Sequence, residues 1–526
     1  NPSLVVLLVA VGIFIISSVV MMPFVPEDAY ISFRYAEHLA DGDGITFNVG
    51  GPPVEGYSNF LWLFVLAAVY KAGADLPTTT PYIGILLGIL NLFVLWKLFK
   101  KRGLPPLEML LPLVVFATAG PFLMYSVSGM EMTLFSLLLL LAMYFADGVF
   151  GSWGTRPIAW TMGIGVLLGL CRPEGVIVFP IIVLFAAWCA RRRLERRTII
   201  KRLGVASLMF AALVVAYNLW RYGYFHEWLP PPFMSKAGGG TGLVFAWEKN
   251  VKMFFYTKGH MFPPAGYYFL ALTVAAFVGM ILSKSGTAHK RTERLAFGLA
   301  VVLMAVYFNF IDWMPGMRYH SVVIGLLLLP AVHVQSVFPA SMWSRPGRKE
   351  RITLAAALAL VLLTSFSVTA SLKMIGSKLE EGNRECLIPL GQWLAQVFPP
   401  DALLAMSDVG AVPYYSRLRT LDIHVESLTD LYIAKNGFSQ EYVLENKPDV
   451  VVLSTRGVYS AKMDPIHFAM MKSPGFGALF KFLGTVRYLW YDDRGYWIFI
   501  PKNMTLTREQ LESFPKGIGT MRRIEP

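Results

Sequence analysis

Twelve apolar runs of 15 to 20 residues constrain this chain more than any other feature. They lie at 4–22, 59–73, 81–98, 107–122, 131–146, 157–171, 174–190, 204–221, 265–283, 295–311, 320–338 and 352–371. A bilayer core asks for about 20 consecutive apolar residues, with a range near 17–25. Runs of this length and number predict a polytopic, all-α membrane domain over residues 1–371. Charged residues make up only 15% of the chain, against about 25% in soluble domains. That excludes an ordinary soluble enzyme. The first run is too long for a removable leader and ends without a small-residue cleavage site. It reads as the first membrane helix.

Charge places the runs. Residues 1–371 carry 29 Lys/Arg against 17 Asp/Glu, whereas residues 372–526 carry 18 against 17. The positive excess therefore sits in the apolar part, as the positive-inside rule requires and a nucleic-acid-binding face would not. The basic loops Arg191–Arg202, Lys284–Arg294 and Arg345–Arg351 read as cytoplasmic. Alternation then puts 222–264, 312–319 and everything after 371 outside. Lys97–Arg102 also reads as cytoplasmic, which breaks parity unless the short run 59–73 is a half-helix or interfacial piece. The expectation is about eleven spans, N-terminus in and C-terminus out. Cys171 and Cys189 lie in apolar runs and Cys386 stands alone, so neither zinc nor an obligatory disulfide is suggested.

Residues 23–58 and 222–264 form two long outer loops, where function tends to concentrate. From about 380 the composition turns soluble. Leu403–Met406, Val450–Leu453 and Trp497–Ile500 read as buried strands alternating with helices such as Leu387–Phe398. This predicts a small α/β domain over 372–526 on the outer side of the membrane.

The candidate chemistry gathers at the outer ends of spans. Glu27 and Asp28 follow the first span and precede Arg34. A carboxylate there can take a proton from an attacking hydroxyl, or it is simply a solvated loop acid. Glu55-Gly56-Tyr57-Ser58-Asn59 closes the same loop; its Ser or Asn equally suits a helix N-cap. Glu131 and the pair Arg172 and Glu174 put charge at further span ends, as a site or as interfacial anchors. Asp312, Arg318 and His320 form a third outer cluster, which is otherwise a turn in an aromatic belt. Arginine suits bidentate phosphate binding, so Arg34, Arg172 and Arg318 together would suit a lipid-phosphate head group. His289 in a basic loop and His333 inside a span read as packed residues. Gly238–Gly240 reads as a loop, not a phosphate cradle.

These motifs resemble a known family. Glu27-Asp28-Ala29-Tyr30 is similar to the acidic motif of multi-spanning GT-C glycosyltransferases. The longer strings EDAYISFRYAEHLADGDGITFNVGGPPVEGYSNFLW, SGMEMTLF, CRPEG, DWMPGMRYH and DVGAVPYYSRLRTLDIHVESLTD resemble the actinobacterial AftB-type arabinofuranosyltransferases. The resemblance implies a GT-C fold in a bacterial plasma membrane, with a periplasmic site and a periplasmic C-terminal domain. It implies a polyprenyl-phosphate sugar donor, decaprenyl-phosphoryl-β-D-arabinofuranose, and a cell-wall arabinan acceptor that receives a terminal β(1→2) residue. A β-linked donor giving a β-linked product would retain configuration, so simple inversion is not assumed.

On that reading Asp28 is the catalytic carboxylate, assisted or oriented by Glu27. Arg34, Arg172, Arg318 and His320 hold the donor phosphate. Glu55, Tyr57 and Glu131 position sugar hydroxyls, with Glu174 and Asp312 beside them. Asp408, Tyr414 and Tyr415 are further candidates for acceptor contact. No cofactor is required, although paired acids can bind a divalent ion. The alternative within glycosyl transfer is another lipid-linked sugar, or a protein or lipid acceptor, and two other classes compete. A lipid-linked-sugar transporter would place its charges near the bilayer midplane and often show inverted repeats. A non-catalytic scaffold would not need the acid pair and three outer arginines together.

Overall fold

The apolar runs fold as helices, but not all of them as membrane crossings. The structure, a computed structural model, describes residues 1–22, 24–232, 265–309, 314, 316–337, 347–424, 427–456, 462–463, 465–488 and 494–515. The first ten helices are α1 (Pro2–Met21), α2 (Glu27–Asp41), α3 (Phe60–Lys71), α4 (Leu76–Lys101), α5 (Pro106–Ala117), α6 (Gly120–Ser126), α7 (Met132–Ser152), α8 (Thr155–Cys171), α9 (Val178–Ala190) and α10 (Arg196–Phe225). Further helices follow at Ala265–Leu282, Thr287–Phe308, Ile324–Ala331 and Arg348–Gly382.

Six described segments are long and apolar enough to span a bilayer: α1, α4, α7, Pro173–Ala190, α10 and Arg318–Val337. A seventh arises if α5 and α6, bent by 60°, form one crossing. Among the described residues this is fewer than the eleven spans expected. The shortfall comes from breaks the apolar runs conceal. Pro173 stops α8 after 17 residues, and the charged first turns of Thr287–Phe308 dilute its apolar stretch. The run 59–73, expected as a half-helix or interfacial piece and not among the eleven, yields α3, with only 12 residues. At 1.5 Å per residue it is about 18 Å long, too short to cross. Its two ends touch α2 instead: Asn59 Nδ2 donates to Ser32 Oγ at 3.1 Å, and Lys71 Nζ to the Ala40 carbonyl at 3.0 Å. So α3 lies beside α2.

One end of the bundle is basic and cross-linked. Arg102 meets Glu293 at 3.2 Å, His333 Nε2 meets Glu293 at 2.9 Å, and Lys101 and His289 meet Asp147 at 3.4 and 2.8 Å. The loops expected on one side of the membrane therefore do meet. On the flanks, α1 exposes Leu8, Ile16 and Val19, and α10 exposes Leu208 and Leu219. Apolar faces of this extent call for lipid.

The C-terminal region forms a mixed six-stranded sheet in the order β2-β1-β3-β6-β5, with β4 paired to β3. The strands are β1 (Leu403–Met406), β2 (Arg419–Asp422), β3 (Val450–Arg456), β4 (Lys462–Met463), β5 (Phe480–Tyr488) and β6 (Arg494–Pro501). β1 runs parallel to β2 and β3, while β6 runs antiparallel to β3 and β5. The three strands expected from the sequence are β1, β3 and β6. The expected boundary at 371/372 falls inside the helix Arg348–Gly382.

The sheet domain is fused to α2 rather than appended. One apolar core includes Leu404, Met406, Val452 and Ile498 of the sheet together with Ala29, Tyr30 and Phe33 of α2. Polar ties reinforce it. Asn48 Nδ2 donates to the Thr420 carbonyl at 2.8 Å, and Thr420 N–H to Asn48 Oδ1 at 2.9 Å. Gly410 N–H donates to Glu27 Oε1 at 2.6 Å. A side chain at 410 would strike both the Glu27 carbonyl and its carboxylate. Gly410→Ala is therefore expected to cost about 1–3 kcal/mol of stability, read as an earlier thermal transition of the detergent-solubilised protein.

Candidate active site

Four turns, each shaped by its local sequence, deliver side chains to one pocket. Its lining includes Asp28 and Ser32 from α2, Tyr57, Ser58 and Asn59 from the turn before α3, and Glu131, Arg172, Arg318 and Tyr319. The pocket has a volume of about 50 Å³. Asp28 stands in the first turn of α2, where the helix dipole favours an anion. Glu131 sits at the N-cap of α7, just after Gly129. Gly129 has φ +71°, and a Cβ there would lie 2.7 Å from Thr80 Oγ1; only glycine allows so close a turn. Arg172 adopts extended backbone before Pro173, which turns it out of the helix. Arg318 follows Gly316 and Met317, at φ +78° and +56°. The left-handed Met317 is a strained conformation of the kind that gathers at functional sites.

The charges form two linked groups. Arg172 pairs with both Glu131 and Glu174, and its guanidinium lies 4.8 Å from the centre of the Tyr319 ring. Asn59 Nδ2 also donates to Glu131, at 3.0 Å. All three charged side chains of this trio are at least nine-tenths buried. Arg318 Nη1 meets Asp28 Oδ2 at 3.1 Å, and Nη2 donates to the Tyr319 hydroxyl at 2.8 Å. The Asp28 side chain is 40% exposed, although its partner Arg318 is only 4% exposed. The pocket thus offers one accessible carboxylate beside two fixed guanidinium groups.

A second cavity of about 190 Å³ shares Tyr57 and Ser58 with the first. Apolar side chains of α8 and α10 line it, including Val166, Leu170, Leu213 and Val214. A charged pair stands in it. Glu55 is held by Arg221 through two contacts from Nε at 3.0 Å and a further one from Nη2. Burial raises the Glu55 carboxyl, and Arg221 opposes that rise. Burial likewise pushes the Tyr57 phenol well up.

The geometry sorts the expected residues. Asp28, Tyr57, Glu131, Arg172 and Arg318 line the pocket, and Glu174 reaches it through Arg172. Glu55 lies in the neighbouring cavity. Glu27 contacts Gly410, as described, and so ties the sheet domain to the start of α2. Arg34 does not face the pocket. Its guanidinium donates to the carbonyls of Phe47, Pro413 and Leu418, which makes it a clamp between α2 and the sheet domain. His320 is buried among the rings of Phe269, Tyr307 and Phe308. Tyr414 and Tyr415 pack on Tyr30, and Asp408 accepts from the Tyr496 hydroxyl at 2.7 Å. Asp312 lies outside the described residues.

Sequence reasoning missed Arg221, although an arginine closing an apolar run is itself a signal. It also missed Asn59 as a ligand of Glu131: neither Ser58 nor Asn59 caps α3 through its side chain. Among the described residues, no group of three or more His, Cys, Asp or Glu is placed to hold a metal ion.

Solved structures with this architecture exist. ArnT from Cupriavidus metallidurans in the apo state matches with a TM-score of 0.55 at 12% identity, over 94% of this chain and 97% of that one. The chain shares that fold. The same enzyme bound to undecaprenyl phosphate gives a TM-score of 0.53 at 12% identity, over 94% and 97% of the two chains. The archaeal oligosaccharyltransferase AglB from Archaeoglobus fulgidus, in complex with an inhibitory peptide and a dolichol-phosphate, gives 0.53 at 11% identity, over 94% of this chain and 74% of that one. A family model described as a domain of unknown function (DUF8728) matches residues 377–504. No curated protein matches the chain. Within this shared fold the described residues divide into a multi-pass helical part and a small sheet domain that meet at α2.

Proposed function

We propose that the chain is a membrane glycosyltransferase that moves a sugar from a polyprenyl-phosphate donor to a glycan acceptor. One observation carries the reading: the accessible Asp28 carboxylate, bound to Arg318, faces a polar pocket that shares a wall with an apolar cleft between helices α8 and α10. A lipid donor needs that adjacency. Its prenyl chain stays in the cleft or in lipid while its phosphate and sugar reach the polar pocket. The acceptor oxygen bonds to the anomeric carbon and its proton passes to Asp28; a β product from a β donor requires the new bond to form on the face the phosphate leaves, whereas attack from the opposite face would invert the configuration. The bond from that carbon to the phosphate oxygen breaks, and the leaving polyprenyl phosphate carries the electron pair. Arg318 and Arg172 are placed to stabilise the negative charge that develops there.

The finer assignment rests on the sequence motifs. The donor is decaprenyl-phosphoryl-arabinose, the acceptor is cell-wall arabinan, and the product is a terminal β(1→2) linkage. The site faces the periplasm, a reading supported by the basic cross-linked end lying away from it. A transporter is less well supported, because the charged groups gather at one level rather than around a midplane site.

The test uses purified protein, a panel of polyprenyl-phosphate sugars and an arabinan oligosaccharide. Arabinose transfer is expected, and NMR of the product reads the linkage and whether configuration is inverted or retained. Absence of transfer from every donor would overturn the reading. Asp28 and Glu27 contact different partners, so we also propose that no metal is needed. Transfer is then expected to survive EDTA; loss of activity, restored by Mg²⁺ or Mn²⁺, would refute that part.

A further inference from the structure

On the other side of α2 from the pocket runs an open groove of about 650 Å³, within the about 300–1,000 Å³ range of small-ligand clefts. Tyr70, Tyr414 and Tyr415 line it, with Glu37, Asp41 and Arg417. Three structures build it: the far half of α2, the end of α3 with the turn into α4, and the residues of the sheet domain that dock there. Glu37 follows Asp28 by nine residues. On a helix that is about 14 Å along the axis and half a turn around it. The groove is therefore separate from the reacting atoms, yet rigidly tied to them through one helix.

Its polar groups are already oriented. Glu37 is 2% exposed and is gripped by the Tyr414 hydroxyl and by Arg417. Arg417 holds a left-handed backbone, φ +60°, and its guanidinium lies 5.2 Å from the centre of the Tyr414 ring. The Tyr70 hydroxyl approaches Asp41 at 3.4 Å. Lys71 and Asp75 complete the rim, so three carboxylates face two cations. That balance disfavours a phosphate. What remains is a mixture of donors and acceptors of both signs beside aromatic rings. Sugar hydroxyls both donate and accept, and the C–H faces of sugars pack on aromatic rings.

We infer that this groove binds a neutral oligosaccharide, namely a part of the acceptor several residues away from its reacting end. The inference rests on the proposed glycan acceptor and adds a second, remote subsite to it. It predicts that longer acceptors bind better than short ones, because only they reach the groove.

The experiment titrates the full chain in detergent, without donor, with arabinofuranosyl oligosaccharides of two and of eight residues. Parallel titrations use linear galactan, mannan and glucan octasaccharides. At least one octasaccharide is expected to bind about tenfold more tightly than the corresponding disaccharide. Tyr70→Leu should remove about a tenfold share of that advantage, the size of one aromatic contact. Tyr70→Phe, which keeps the ring, should preserve most of it. Binding without any length dependence, or an equal loss for both lengths in Tyr70→Leu, would overturn the inference. Because no donor is present, these outcomes stand apart from a failure to observe transfer.

Discussion

Asp28→Asn is expected to lower sugar transfer by about 10²- to 10⁴-fold, the usual weight of a positioned general base, and to leave folding intact. The two halves of this expectation have separate grounds. The amide keeps the shape of the carboxylate and can still accept from Arg318 through its oxygen, but it cannot take a proton. The side chain is 40% exposed, and although Arg318, only 4% exposed, loses a counter-charge, it keeps the amide oxygen and the Tyr319 hydroxyl as acceptors, so the cost in stability should be small. Transfer rate and thermal unfolding, measured on the same preparation, check both halves. Glu27→Gln is the informative companion. Glutamine retains the oxygen that accepts from Gly410, so most of the activity should remain. Near-normal transfer by Asp28→Asn would remove Asp28 from the chemistry. A collapse in Glu27→Gln with Asp28→Asn unaffected would exchange the two roles.

What the sequence made legible follows from the range of the interactions involved. Glu131, Arg172 and Arg318 each lie at or beside the end of an apolar run and Asp28 follows one by six residues, and charges so close to a span are costly enough to stand out in a single chain. Their convergence was an assumption until the turns at Gly129, Pro173 and Gly316–Met317 fixed their directions. Arg34 carried the same local signal but has a different job. Its carbonyl partners Pro413 and Leu418 lie 379 and 384 residues away, and nothing in the pattern around Arg34 encodes them. Glu55 illustrates the converse: its position was noticed, but its partner Arg221, 166 residues on, looked like the ordinary end of a span. The span count is less legible for a similar reason. Apolar runs report burial and not crossing: among the described residues Pro173 ends α8 after 17 residues and charged first turns shorten the apolar part of Thr287–Phe308, while the short run 59–73 lies against α2, in keeping with the half-helix or interfacial piece expected of it.

The two arginines of the pocket should separate stability from chemistry. Arg172→Met leaves Glu131 and Glu174, at least nine-tenths buried, without their counter-charge. Breaking a buried pair from one side costs about 3–5 kcal/mol, so this variant should unfold at much lower temperature or denaturant. Arg318→Met instead strands Asp28, which can turn to water. Its cost should stay near the about 0–1 kcal/mol of an exposed pair plus the about 1 kcal/mol of one lost hydrogen bond to Tyr319. Transfer should nevertheless fall by about 10²- to 10³-fold, because a donor aimed at developing charge has been removed. Adding Glu131→Gln and Glu174→Gln to Arg172→Met removes the stranded charges, so stability should recover while transfer does not. If the triple variant regains transfer as well, Arg172 is a structural strut and the leaving phosphate depends on Arg318 alone. If Arg318→Met transfers normally, the leaving phosphate does not depend on Arg318.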